Sequence, residues 1–170
     1  MFVIVPGRVD DKSLIMHWQI YTFNQLDTHT LYALLQLRVD VFVVEQNCPY
    51  PELDDKDLDP QTRHVLLKKG DKVIAYARIL APDVSFAGFP GIGRVCVSQT
   101  ARRLGLGKVL VERTLAETSQ LWPDTDIHIS AQCYLQRFYE ELGFKAASEP
   151  YLEDDIPHLK MIKPVGRGAD

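Results

Sequence analysis

Apolar and polar positions alternate through residues 17–23 ("HWQIYTF") with the period of two that predicts a strand. The period then changes. "THTLYALLQLRVDVFVVEQ" carries its apolar residues at helical spacing, with Asp27 or Thr28 placed to cap the helix. Pro49, Pro51 and Pro60 interrupt the acidic stretch that follows, and "HVLLKKGDKVIAYARIL" is predicted as two strands about a Gly70-Asp71 turn. Residues 81–91, with Pro82, Gly88, Pro90 and Gly91, are a loop leading to the strand "IGRVCV". A glycine-containing turn comes next, then a helix from Leu104 to about Leu121, a strand "DIHISAQ" and a short helix "YLQRFYEEL" ended by Gly143. Residues 144–162 are expected to hold two short strands around "EPYLEDDIP". The order β-α-β-β-β-α-β-α-β-β predicts an α/β protein of the α+β type, one mixed sheet with helices on its faces.

Composition narrows this picture. The chain has 170 residues, 46% of them hydrophobic and 25% charged, which suits one globular domain with a sizeable core. Met16 stands just before the first strand pattern, so residues 1–15 are expected to be an extension, 16–163 the domain and 164–170 a tail. A formal net charge of −4 argues against a general nucleic-acid binder. A local basic patch of Arg102, Arg103 and Lys108 still suits a small polyanion. Cys48, Cys96 and Cys133 are widely spaced without a CxxC pair, so neither a disulfide framework nor a zinc or other metal site is expected. A reducing cytoplasm fits them. The opening "MFVIVPGRVDDKSLIM" lacks a basic leader region and a small-residue cleavage site, and no later apolar run approaches spanning length, so no membrane association is expected.

The stretch 95–115, "VCVSQTARRLGLGKVLVERTL", joins strand to helix through Gly105 and Gly107. Such turns often hold phosphate, because the first helical turn has unpaired N–H groups and the positive end of the helix dipole. The nucleotide P-loop does not fit: no glycine sits five residues before Gly107, and Val109 follows Lys108. The dinucleotide fingerprint fails at Cys96, and "DKDLDP" lacks the glycine and closing glutamate of a calcium loop. Arg102-x-x-Gly105-x-Gly107 instead resembles the pyrophosphate-binding turn (Q/R-x-x-G-x-G/A) of the GNAT superfamily of N-acetyltransferases. "AQCYLQRFYEELGF" resembles the superfamily's N-x-x-A-x-x-x-Y-x-x-x-G-F block, with Tyr139, Gly143 and Phe144 in register, Gln132 at the usual Asn position and Leu135 at the usual Ala. "LLQLRVDVFVVEQNCPYPELD", "AYARIL", "GRVCVS" and "YLEDDIPHLKM" extend the likeness to the ElaA-type branch over about residues 16–163.

The resemblance implies a GNAT fold with a splayed strand that binds acetyl-CoA as co-substrate. Backbone N–H groups of Arg103, Leu104, Gly105, Leu106, Gly107 and Lys108 would cradle its pyrophosphate, with charge from Arg102, Arg103 and Lys108. Val95 and Val97 would offer main-chain groups to its arm, and Gln132 a hydrogen bond. Tyr139 would protonate the departing thiolate. Cys96 reads as a small buried hydrophobe and not as a nucleophile.

The acceptor implied is a small-molecule or peptide amine, and an alkylamine near pKa 10.4 costs about 4–5 kcal/mol to be neutral at pH 7, so a base is useful. Glu45, at the end of the first helix, is one candidate, although an exposed glutamate is the plainer reading. His64 and His158, expected at strand edges beside the acceptor, could relay a proton, or be structural. Glu52, Asp54, Asp55, Asp57 and Asp59 read as a solvated loop that would also attract a cation, and Asp154 and Asp155 share that ambiguity. The rival to an enzyme is a non-catalytic acyl-CoA-binding sensor or interaction module, against which the tyrosine speaks. Oligomeric state is open, a homodimer included.

Overall fold

The side chain of Asp27 accepts a 2.8 Å hydrogen bond from the Thr30 amide and starts helix α1 (Thr28–Arg38), which follows strand β1 (Met16–Tyr21). The structure, a computed structural model, describes residues 15–166; the expectations for 1–14 and 167–170 lie outside them. At its end α1 widens into a π-type segment, Val39–Glu45. Then come β2 (Arg63–Lys69), β3 (Lys72–Leu80), β4 (Gly91–Val97), α2 (Leu106–Leu121), β5 (Ile127–Gln132), α3 (Gln136–Glu141), β6 (Lys145–Ala146), β7 (Tyr151–Glu153) and β8 (Ile156–Lys163). All strands join one mixed sheet in the order β1-β2-β3-β4-β5-β8-β6, with β7 also paired to β8.

The two helical patterns bury different faces of that sheet. Leu34, Leu37 and Val41 from α1 and its extension meet Leu66, Tyr76 and Cys96 on one side. On the other, Leu110 from α2 packs with Val65, Leu67 and Ala77, while Val111 and Leu115 join Ile129, Met161, Phe144 and Tyr139. Burying such side chains is worth about 1.5–3 kcal/mol each, which makes the alternation on β2, β3 and β5 the register of the whole sheet.

Three departures from the expected elements have local causes. Helix α2 starts at Leu106 and not at Leu104, because Arg103 and Gly105 take left-handed φ of 67° and 71°. The region 144–162 holds three strands. The expected "EPYLEDDIP" connection is itself mostly paired, with β7 and β8 joined tightly at Asp154 and Asp155, φ 49° and 61°, the left-handed pair of a two-residue hairpin.

The third departure creates the cavity. Tyr76 opposes Cys96 and Arg78 opposes Gly93, so β4 spends three residues where β3 spends two, and Arg94 takes φ 54°. That is a bulge, and it bends β4. Its one registered pair with parallel β5 is Gly91 with His128. Beyond it the strands diverge.

Candidate active site

Between the diverging β4 and β5 lies a cavity of about 730 Å³, walled also by the π-type end of α1, the loop after it and the β7–β8 hairpin. Its β4 wall includes Val95, whose strand has no registered β5 partner at this level, so backbone is left open for a ligand to pair with. Val97 lies next to the turn, and its carbonyl accepts a 3.1 Å hydrogen bond from Arg102 Nε. The turn then presents the N-terminus of α2. A Cβ built on Gly105 or Gly107 would meet no atom of the chain within 4 Å, which leaves open ground before the helix's first amides. Leu104 is exposed, and Lys108 lies 3.9 Å from Glu112 on the exposed helix surface. Open amides, glycines and basic side chains together fit a pyrophosphate.

Glu45 lines the cavity, but both its oxygens face Arg102, Oε2 at 2.8 Å from a terminal nitrogen. That hydrogen-bonded guanidinium holds the carboxyl below the usual carboxylate range. A carboxylate so held accepts a proton less readily than a free one, and in this structure Glu45 is engaged with Arg102. The expectation for His64 is corrected. It lies inside the sheet, with Tyr21 opposite it on β1 and Arg78 opposite it on β3, and is fully buried. Its Nδ1 lies 2.7 Å from the Tyr76 hydroxyl and its Nε2 3.2 Å from the Asp57 carbonyl, so both nitrogens are used in the core, and burial lowers its pKa. It does not line the cavity.

Tyr139, His158 and Gln132 all line that cavity. Tyr139 sits on α3, buried edge-on against Phe144 and Phe138 with ring centroids 5.6 and 5.1 Å away. Burial pushes its phenol up, which keeps the proton on it at neutral pH. Gln132 Nε2 donates to Gln46 Oε1 at 3.1 Å, tying the end of β5 to the turn after α1. Cys96 is buried and its thiol is pushed up by burial, as an inert core residue should be.

The expected solvated loop is instead anchored. Glu52 and Asp57 are buried, 4% and 7% exposed, against arginines from α1, β3 and β4. Arg38, with no exposed surface, pairs with Glu52 and with Asp57 at 2.8 Å. Arg78 bonds Asp54 at 2.7 Å and Asp57 at 2.9 Å, and Arg94 reaches Glu52 at 2.7 Å. Burial alone would raise the Asp54 carboxyl, but Arg78's hydrogen bonds and charge outweigh it and bring the pKa to about 2. Arg78 and Arg94 were visible in sequence as charges inside the apolar strands "AYARIL" and "GRVCV", and a buried charge demands a counterion. Arg38 had no such signal, because a helix can carry an arginine on a wet face.

A model of the acetyltransferase (GNAT) domain matches residues 36–165. The chain belongs to the GNAT acetyltransferase family. It is 44% identical to Protein ElaA of Escherichia coli over 151 residues, 89% of this chain and 98% of that one. The crystal structure of Escherichia coli ElaA superposes with a TM-score of 0.82, covering 88% of this chain and 99% of the other. A crystal structure of an acyl-CoA N-acyltransferase from Pseudomonas aeruginosa gives 0.83 at 46% identity, with 88% and 99% covered. The mixed sheet opened at a β4 bulge is thus the GNAT fold, and the protein is an acyltransferase of that family. GNAT enzymes act on amine acceptors with acyl-CoA as co-substrate. Among the described residues, no helix is long and apolar enough to cross a membrane.

Proposed function

We propose that the protein transfers an acetyl group from acetyl-CoA to a primary amine by direct attack, with Tyr139 as general acid. The observation that carries this is the position of a buried, protonated phenol on the wall of the cavity that opens between β4 and β5. In this reading the pyrophosphate rests on the amides of 103–108, and the arm pairs with β4 at Val95 and Val97, with Gln132 on the far strand. The amine nitrogen bonds the thioester carbon, the C–S bond breaks, and the thiolate takes the Tyr139 proton. A tetrahedral intermediate collapsing beside a proton donor expels a thiol and not a thiolate.

Replacing the hydroxyl tests this directly. Tyr139→Phe keeps the ring against Phe144, so acetyl-CoA should bind as before while the single-turnover rate falls by about 10²- to 10⁴-fold. The parent protein should release free CoA thiol with members of a primary-amine panel. Weakened acetyl-CoA binding with an unaltered chemical step would make Tyr139 a packing residue. Binding without thiol release from any amine would favour an acyl-CoA sensor.

A further inference from the structure

The register sorts the side chains around the cavity onto two faces of the sheet. Ile129 and Ala131 on β5 and Leu159 and Met161 on β8 lie in the apolar cluster that contains Tyr139, so the residues between them point the other way. Directly opposed residues share a face. Gln132 opposes His158, and His158 opposes Tyr151 on β7. Ser130 and Glu153, two residues from Gln132 and Tyr151, join them on that face. All five line the cavity. Tyr139 therefore enters it from one face of the sheet, and this polar group from the other.

Hydrogen bonds fix the chemical state of the group. Ser130 Oγ donates to Glu153 Oε2 at 2.7 Å, which leaves the Tyr151 hydroxyl to donate to Ser130 Oγ at 2.6 Å. His158 Nδ1 lies 2.7 Å from the Ile156 carbonyl. A carbonyl only accepts, so Nδ1 carries a proton, and in the neutral ring Nε2 is a free acceptor. Among the acids of the cavity wall, Glu45 is matched by Arg102 and Asp54 by Arg78, whereas Glu153 and Asp154 form no ion pair among the described residues, and of these two Glu153 is the one bonded into the Ser130–Tyr151 group. Lys160, which opposes Ser130 on this face, has its Nζ over the Phe86 ring at 5.8 Å and pairs with neither acid.

We infer that this face is the acceptor site, where Glu153 holds the ammonium group of a primary alkylamine and His158 Nε2 takes the proton that the amine must lose. The inference rests on the acyl-transfer reading and adds to it the substrate class and the base. At pH 7 only about one alkylamine molecule in a few thousand is neutral, so proton removal on the enzyme is worth having. The ammonium gives one proton to Nε2, and the freed lone pair forms the C–N bond. The C–S bond then breaks and the thiolate takes the Tyr139 proton. The nitrogen's second proton, acidic once the C–N bond exists, returns through solvent to the Tyr139 oxygen, and His158 releases its own to bulk water. With base and acid on opposite faces, the proton taken from the amine and the proton given to the sulfur are handled by separate groups.

The test compares the alkylamine that gives the fastest thiol release with its aminooxy counterpart, in which oxygen replaces the CH2 next to the nitrogen and the nitrogen is already neutral at pH 7. His158→Asn keeps an amide N–H for the Ile156 carbonyl but has no Nε2. It should lower the single-turnover rate with the alkylamine by about 100-fold or more, and with the aminooxy compound by less than about fivefold. Glu153→Gln should raise KM for the alkylamine about tenfold with kcat little changed, because ground-state charge pairing is what it removes. Equal losses with both nucleophiles would overturn the base assignment, and an unchanged KM would overturn the ammonium site. Acetyl-CoA affinity, measured by calorimetry in each variant, should match the parent. If acetyl-CoA binds the parent and yet no amine releases thiol, acyl transfer itself fails and takes the acceptor site with it.

Discussion

Two acidic stretches read alike along the chain, and the fold treats them in opposite ways. Glu52, Asp54 and Asp57 fold back onto the sheet, where Arg38, Arg78 and Arg94 neutralise them. Glu153 and Asp154 sit on a hairpin that lines the cavity, Glu153 bonded to Ser130, and neither forms an ion pair among the described residues. The first stretch is a clamp that seals one wall of the cavity, and most of its charge is cancelled before it can attract anything. In the acceptor site inferred above, what would draw a cationic amine comes from the second. An acid's meaning here depends on whether a buried guanidinium reached it first.

The largest effect that separates the stretches is on stability. Asp57→Ala strips a shared counterion from Arg38 and Arg78 and should destabilise the protein by about 3–5 kcal/mol, since removing one partner leaves buried charge uncompensated. Glu153→Gln should change stability by less than about 0.5 kcal/mol, as surface substitutions do. Denaturant unfolding of the two variants compares them, and similar losses would erase the distinction. Acid unfolding gives a smaller effect. Asp54, at about 2, and Asp57, also lowered, bind protons more weakly folded than unfolded. The stability they supply is complete above about pH 4 and is lost as the pH falls toward 2. Asp54→Asn should flatten that part of the curve of unfolding free energy against pH by about 1 kcal/mol, the partly exposed carboxyl being screened by solvent. An unchanged slope would mean that the Arg78 pair does not persist in solution. Smallest is the effect at Glu45, the exposed acid at the π-type end of α1. Glu45→Gln releases Arg102 toward the glycine turn and should tighten acetyl-CoA binding by roughly two- to fivefold in calorimetry, because an exposed ion pair is worth little. Weaker binding would show that Glu45 positions Arg102 for the ligand.

Much of the fold was legible because it rests on local rules. Asp27 as a cap, the Gly70-Asp71 hairpin and the helical spacing of 28–45 each depend on a few consecutive residues. The glycine turn was legible for the same reason, although the helix begins two residues later than expected. The short strand β7 was not. Three residues of "YLE" have no pattern of their own and become a strand only because β8 supplies the partner. His64 was misplaced by the same kind of blindness: its neighbours in sequence say strand, and only pairing with β1 on one side and β3 on the other makes it central.

The sequence by itself determined the elements, the order in which they wind, and the family to which they belong, since periodicity, caps and spaced motifs are properties of consecutive residues. It also placed Tyr139 on a short helix after β5. The tertiary structure decided which charges cancel and which remain available. A side chain's partner is set by where distant segments meet: Arg38 lies 14 residues from Glu52 and 19 from Asp57, and Arg102 lies 57 from Glu45. It likewise decided that Tyr139 and His158 enter one cavity from opposite faces of the sheet, because the face a strand residue takes follows from its register against a neighbour, and the cavity exists only where the bulge at Arg94 drives β4 away from β5.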